Sequence, residues 1–142
     1  MMKKWGILIL SLCVVFISCK KDSKQITVQH ILISFQGSIP KPEVTRTQEE
    51  AQKLASEILQ RTEAGEDFDA LVKEYSDDAY PGSYTMADIG APYDEVNGIF
   101  SRSRMVKSFG DVSFSLGVGE IGMAEYDPVD SKYGWHIIKR LE

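Results

Sequence analysis

Cysteine and histidine are scarce in this sequence of 142 residues, with two of each. Cys13 and Cys19 both lie near the amino terminus, so the rest of the chain has no thiol that could form a disulfide or a zinc site. The chain also has no Gly-x-x-x-x-Gly-Lys-Ser/Thr phosphate-binding loop and no Gly-x-Ser-x-Gly segment. These absences argue against nucleotide-dependent and serine-hydrolase chemistry, and we expect no metal and no other cofactor.

A long hydrophobic run is missing as well. The amino-terminal segment "WGILILSLCVVFI" follows Lys3 and Lys4, and it is shorter than the ~20 residues of a membrane-spanning helix. It is typical of a secretory signal. The following "FISC" resembles the bacterial lipobox, although Phe16 replaces the usual leucine. We therefore predict a signal peptide over residues 1–18, and a lipidated Cys19 with a polar tether over 19–25. The alternatives are a plain signal peptide and an uncleaved anchor with a chance cysteine.

Positive charge is in short supply. The chain has 16 basic and 21 acidic residues, for a net charge of −5. Loss of Lys3 and Lys4 with the signal would reduce the basic residues to 14 and bring the net charge to −7. Such a surface repels phosphate backbones, so we expect no nucleic-acid partner.

The residues from Ile26 onward show the pattern of one folded domain, 26–142. The segment "ITVQHILISF" predicts a strand in which alternate residues share a face. A Thr47–Glu50 capping box and a later Asp67 each predict the start of an amphipathic helix. An irregular loop over 76–98, a third helical stretch and the strand "YGWHIIKRL" follow. The pattern indicates an α+β domain with helices around a small, largely antiparallel sheet.

Both histidines, His30 and His136, lie within the apolar terminal strands. A histidine in such a strand is more often a hydrogen-bonded core residue than a ligand or a catalyst. Two histidines among many acidic residues could bind a metal ion, but their separation in the sequence argues against such a site. Adjacent acidic residues such as Asp77 and Asp78 are usually solvated turn residues.

The ordered blocks "VQHILI", "YSDD", "ADIG", "FSRSRMVKSF", "FSLGVGEIG" and "YGWHIIK" resemble the parvulin-type peptidyl-prolyl cis-trans isomerases. Each block is weak alone, but their order and spacing are specific. The resemblance covers Ile26 to Leu141 and implies a four-stranded antiparallel sheet flanked by about four helices.

The resemblance also implies roles for individual residues. The catalytic positions of the family match His30, Asp78, Ser131 and His136. The apolar residues that hold the proline ring match Ile89, Phe100, Met105 and Phe109. In such a site the two histidines are expected to support the reaction by hydrogen bonding each other beneath the substrate, without transferring protons.

Two departures from the family pattern lie near the expected rim of the site. The segment "APYDEVNG", residues 91–98, is inserted after "MADIG", and a longer link, "GMAEYDP", precedes Val129. Both affect the expected substrate preference more than the expected fold. Basic residues after the first strand are sparse, so a preference for phosphoserine-proline is not indicated.

The sequence therefore predicts a monomeric, lipid-anchored isomerase of the bacterial cell envelope. Its expected partners are proline-containing unfolded or exported polypeptides, and its membrane contact is through Cys19. Two alternatives remain. One is a non-catalytic chaperone that holds proline-containing segments in the same groove, and the other is a structural lipoprotein of an envelope complex.

Overall fold

The structure, a computed structural model, describes residues 25–142. The predicted signal segment and Cys19 lie outside these residues. Within them, five strands form one sheet in the order β3-β2-β1-β5-β4. The strands are β1 (Gln25–Ile33), β2 (Ser83–Ala87), β3 (Ile99–Ser101), β4 (Ile121–Ala124) and β5 (Trp135–Arg140).

The first and last strands of the chain lie side by side in the middle of the sheet. β1 runs antiparallel to both β2 and β5, and β5 runs antiparallel to β4. β2 and the three-residue β3 pair in parallel. The α+β class is thus confirmed, whereas the expected four antiparallel strands are corrected to five with one parallel pair. The additional strand, β3, has three residues and is too short to show an alternating pattern in the sequence.

Three α-helices are present in residues 25–142: α1 (Gln48–Glu63), α2 (Phe68–Tyr75) and α3 (Lys107–Ser115). The family resemblance implies about four helices. In addition to the three α-helices, this part of the chain has two short 3-10 turns, Glu95–Asn97 and Arg102–Arg104. The capping box is confirmed, because the Glu50 amide donates to Thr47 Oγ1 at 3.2 Å and the Thr47 amide to Glu50 Oε2 at 2.7 Å. Asp67 caps α2 through the Ala70 amide at 2.7 Å. No helix in this part of the chain is long and apolar enough to cross a membrane.

The helices cover opposite faces of the sheet. α1 and α2 pack on the face that carries Ile31, Ile33 and Ile137, and α3 packs on the face that carries Val28 and Ile138. These five side chains are fully buried, and burial of each stabilises the fold by about 1.5–3 kcal/mol. The apolar periodicity of the sequence reflects these two layers.

Two elements differ from their predicted form. The region 76–98 is not irregular throughout, because β2 lies within it and pairs with β1 over five residues. The flanking proline, glycine and aspartate residues hide this strand in the sequence. The third helix begins at Lys107, so Met105, which is in extended conformation, and Val106 precede it.

Candidate active site

Two buried imidazoles lie on the α3 side of the central strands. His30 of β1 and His136 of β5 are each 4% exposed. Because His136 pairs with Leu32 in the strand register and His30 pairs with Ile138, the two histidines are diagonal neighbours. Their Nδ1 atoms are 3.1 Å apart, and their rings are stacked with centroids 5.3 Å apart.

A close approach between β1 and the chain before β5 makes this arrangement possible. Gly134 has a φ of +136°, and a Cβ atom built on it would lie 2.1 Å from the carbonyl oxygen of Ile33. Only glycine fits at such a position. The residue therefore sets the entry of β5 beside β1, and with it the position of His136.

Asp78 extends the polar group outward from His30. His30 Nε2 lies 2.8 Å from Asp78 Oδ2, the Tyr84 hydroxyl donates to the same oxygen at 2.6 Å, and the Ala79 amide donates to Oδ1 at 2.8 Å. Three donors on one carboxyl group favour its ionised form.

The chain after α2 is fixed to β1, which holds Asp78 in place. The Leu32 amide donates to Ser76 Oγ at 3.1 Å, and the Asp77 amide donates to the Leu32 carbonyl at 2.8 Å. The Asp77 carboxylate accepts from the Ser34 amide at 2.8 Å and from Arg46 Nη1 at 2.5 Å. Asp77 is thus a structural residue, and its neighbour Asp78 faces the histidines.

The protonation states of the group follow from these contacts. The hydrogen bond from His30 lowers the pKa of Asp78 well below its usual range, and burial, with the nearby Asp78 carboxylate, raises the pKa of Tyr84. An ionised Asp78 accepts, so His30 Nε2 carries a proton. In neutral His30 the Nδ1 atom is then an acceptor, and His136 Nδ1 donates to it. The chain of donors therefore runs from His136 through His30 to Asp78.

His136 lies at the buried end of this chain. Its Nε2 has no hydrogen-bond partner within the described residues. Burial, with a smaller effect from His30, lowers the pKa of His136 to about 3. The imidazole therefore stays neutral in the folded protein at neutral and mildly acidic pH.

Acidification is expected to destabilise the protein through His136. Below pH 6.5 the unfolded chain binds a proton at this residue that the folded chain excludes down to about pH 3. The stability that comes from keeping His136 neutral is thus complete above pH 6.5. As the pH falls below that value, the free energy of unfolding decreases by up to about 1.4 kcal/mol per pH unit. Urea unfolding at several pH values between 5 and 6.5 measures this slope.

A His136→Phe variant is the control for this slope. It lowers the absolute stability, because His30 loses a partner, but its free energy of unfolding should depend on pH less steeply by about one bound proton. An equal slope in both proteins would show that His136 titrates alike in the folded and unfolded states.

An apolar cavity of about 250 Å³ lies above the two histidines. Phe109 of α3 contacts both rings, with centroid distances of 5.1 Å to His30 and 5.4 Å to His136. Met105 and Val106, which directly precede α3, form the adjacent wall. The lining as a whole consists of His30, Leu32, Asp78, Tyr84, Arg104, Met105, Val106, Phe109, Tyr133 and His136.

Of the eight expected site residues, five line this cavity: His30, Asp78, Met105, Phe109 and His136. Phe100 is outside the lining, and its ring centroid lies 6.1 Å from that of Tyr84, which is part of the lining. Ser131 is fully buried and donates to the Gly134 carbonyl at 3.0 Å, which supports the turn before β5. Ile89 is 72% exposed and lies outside the lining. The face that β1 and β5 share beneath α3 brings His30, His136 and Phe109 together. The segments after α2 and before α3 add Asp78 and Met105.

The sequence model of the PPIC-type PPIase domain family matches residues 13–142. The chain belongs to this family. The foldase protein PrsA of Geobacillus sp. (strain WCH70) is 42% identical over 88 residues, which cover 62% of this chain and 27% of that protein. The chaperone SurA of Pseudomonas fluorescens is 34% identical over 117 residues, which cover 82% of this chain and 23% of that protein.

The fold of this PPIase domain is also found in solved structures. The peptidyl-prolyl isomerase ESS1 from Candida albicans superimposes with a TM-score of 0.62 at 25% identity, over 84% of this chain and 63% of that chain. The matched part of this PPIase domain spans only about a quarter of the length of the curated relatives, at 27% and 23%.

Sequence reasoning missed three polar cavity residues of this PPIase domain: Tyr84, Arg104 and Tyr133. Tyr84 lies in the strand that was predicted as loop, so its register opposite Val28 could not be inferred. Arg104 directly precedes Met105, and this adjacency was the one available signal. Among residues 25–142, no cluster of three or more His, Cys, Asp or Glu side chains could hold a metal ion.

Proposed function

We propose that this chain is a peptidyl-prolyl cis-trans isomerase that assists the folding of other polypeptides. The observation that carries the proposal is the apolar cavity of about 250 Å³ directly above the Asp78–His30–His136 chain. Pockets for drug-sized ligands are usually about 300–1,000 Å³. A cavity below that range suits a single proline ring with its adjacent peptide bond.

The reaction needs no covalent chemistry from the protein. Rotation about a peptide bond crosses a barrier of about 18–20 kcal/mol, and uncatalysed X-Pro bonds isomerise in tens to hundreds of seconds. The planar imide is more polar than the twisted one. A cavity that removes water from it therefore favours the twisted form, provided that the ring is held still.

Met105 and Phe109 would hold the proline ring, and Asp78 would act on the carbonyl group. Resonance in the planar form places more negative charge on the carbonyl oxygen than the twisted form carries. A fixed carboxylate that faces this oxygen raises the energy of the planar form and so lowers the barrier to rotation. His30 and His136 orient the carboxylate through their hydrogen bonds.

The proposal assigns supporting roles to two of the other expected site residues, Ser131 and Phe100. Ser131 supports the turn that precedes His136, and Phe100 supports the ring of Tyr84. Ile89 is 72% exposed and lies outside the cavity lining, so this proposal gives it no role.

The proposal is tested by exchange NMR or a protease-coupled assay with a panel of X-Pro peptides and the purified chain. Catalysed exchange that disappears in an Asp78→Ala/Met105→Ala double variant supports it. Peptides that bind without faster exchange would favour the non-catalytic chaperone instead, and co-purification of one stoichiometric protein would favour a structural subunit. The names foldase and chaperone of the relatives PrsA and SurA agree with a role in folding.

We further propose that the protein is a monomeric lipoprotein of the cell envelope, anchored through Cys19. The "FISC" motif and the absence of other cysteines after it support this proposal. Mass spectrometry of the mature amino terminus is expected to find a diacylated cysteine at position 19. An unmodified terminus elsewhere, or a retained signal segment, would contradict it.

A further inference from the structure

Arg104 brings a fixed positive charge to the cavity of an otherwise acidic protein. The whole chain has a net charge of −5, and among the described lining residues Arg104 alone is a lysine or arginine. Its side chain is 64% exposed. The guanidinium therefore lies at the mouth of the cavity, whereas the Asp78 carboxylate lies at its floor.

The residues that precede Arg104 are held in place by side-chain contacts. Arg102, at the start of the same 3-10 turn, donates through Nη1 to Asp88 and through Nη2 to Asp111, both at 2.8 Å. The hydroxyls of Ser101 and Ser103 are hydrogen bonded at 2.8 Å. These contacts hold the 3-10 turn in place, and with it the backbone of Arg104 and of Met105, the next residue of the cavity wall.

The inserted segment 91–98 holds the guanidinium itself. Arg104 Nη1 donates to both carboxylate oxygens of Glu95 at 2.8 Å. Glu95 is fixed in turn because Asp94 caps its 3-10 turn and pairs with Ile99 of β3. A segment absent from the usual family pattern thus orients a residue at the cavity mouth.

The opposite edge of the guanidinium is open. Within residues 25–142, Nε and Nη2 of Arg104 donate no hydrogen bond, whereas Nη1 is used by Glu95. An arginine edge with two parallel N–H groups matches a carboxylate, which can accept from both. A carboxylate side chain can therefore bind here without displacing Glu95.

We propose that Arg104 is a specificity-determining residue that selects peptides with Asp or Glu next to the proline. The proposal rests on the isomerase function proposed above and names a substrate class for it. With a proline ring against Met105, a flanking residue of the peptide comes to the cavity mouth, where Nε and Nη2 of Arg104 accept its carboxylate.

The test compares isosteric peptides, Ala-X-Pro-Phe and Ala-Pro-X-Phe with X as Glu or Gln, on the full purified chain. We expect kcat/KM to be about three to five times higher for Glu than for Gln on one side of the proline, as for a solvent-exposed ion pair. Arg104→Gln should bring this ratio to about one while turnover of the Gln peptides is retained. Lys107→Gln, which removes an exposed lysine outside the cavity lining, should leave the ratio unchanged.

Equal ratios in the parent and in Arg104→Gln would overturn the proposal, as would a ratio of one on both sides of the proline in the parent. Failure of the isomerase proposal looks different, because no peptide would then be turned over. In that case the dissociation constants of the same peptides, from NMR titration, supply the ratio. A preference for Glu that Arg104→Gln removes would support the carboxylate site, and its absence would overturn it.

Discussion

Replacement of Met105 with alanine is expected to lower kcat/KM for a prolyl peptide at least tenfold, which corresponds to ~1.4 kcal/mol of lost transition-state binding. Met105 lines the cavity from an extended segment and is only partly buried. Its flexible side chain can follow the ring as the peptide bond rotates. Removal of this wall admits water to the imide, and the fold should change little.

Replacement of Phe109 is expected to have two effects, since this ring is both cavity wall and core. It is 2% exposed and packs with Val28, Met86 and Ile138. Phe109→Ala should therefore lower kcat/KM at least as much as Met105→Ala, and it should also lower the free energy of unfolding by about 3–5 kcal/mol. Urea unfolding and peptide assays on the same preparations separate the two effects.

Ile58→Ala provides the matched control for lost stability. Ile58 of α1 is fully buried in the core on the other face of the sheet. Its truncation should destabilise the fold by about 2–5 kcal/mol without touching the cavity, so kcat/KM per folded molecule should match that of the parent. If Met105→Ala retains the kcat/KM of the parent, Met105 and Phe109 serve only the core, and the proline pocket lies elsewhere.

Asp78 variants are expected to lose activity in a graded manner. Asp78→Asn removes the charge but keeps the shape, and Asp78→Ala removes the charge, the shape and the hydrogen bonds. We expect kcat/KM to fall roughly tenfold for Asn and roughly a hundredfold for Ala, as for other fixed polar groups that act on a reacting carbonyl. The measurement is the same peptide assay, together with thermal melts.

Two further variants separate the effect of the Asp78 charge from that of the hydrogen bonds around it. Tyr84→Phe removes one donor to Asp78 and keeps both the carboxylate and the aromatic ring, so its effect on kcat/KM should be smaller than that of Asp78→Asn. His30→Ala leaves His136 without its hydrogen-bond partner, and this should cost about 1–3 kcal/mol of stability. Full activity in Asp78→Ala, or parental stability in His30→Ala, would contradict the proposed polar floor.

The low pKa of Asp78 gives these variants a pH dependence of known sign. Because the folded value lies below the ordinary value of 3.8, the carboxylate stabilises the native state fully above that pH. The contribution is lost as the pH falls through the lower folded value. Asp78→Asn should therefore lose less stability than the parent on acidification below pH 4.

The elements that were predicted correctly are those whose signals are local. The Thr47–Glu50 capping box and the Asp67 cap involve residues three apart, and the period of Ile26, Val28, His30 and Leu32 belongs to a single strand. Such patterns are fixed by backbone geometry alone. Met105 and Phe109 were proposed as pocket residues only through the family resemblance, because their spacing is equally typical of an ordinary helix core.

The elements that escaped prediction depend on distant partners. β2 forms because β1 supplies its hydrogen bonds over five residue pairs, and a turn-rich segment gives no local sign of this. The site depends on the same long-range pairing, since His30 and His136 are separated by 106 positions.

By itself, the sequence determined the α+β class, the two helix starts, the terminal strands and the placement of both histidines within them. Only the tertiary structure decided that β5 lies beside β1, that Tyr84 joins Asp78, that Ile89 stays outside the cavity and that Glu95 holds Arg104 at its mouth. The physical reason is that side-chain periodicity and capping are properties of neighbouring residues. Strand register and ion pairing are settled only when segments far apart in the chain compete for the same partners.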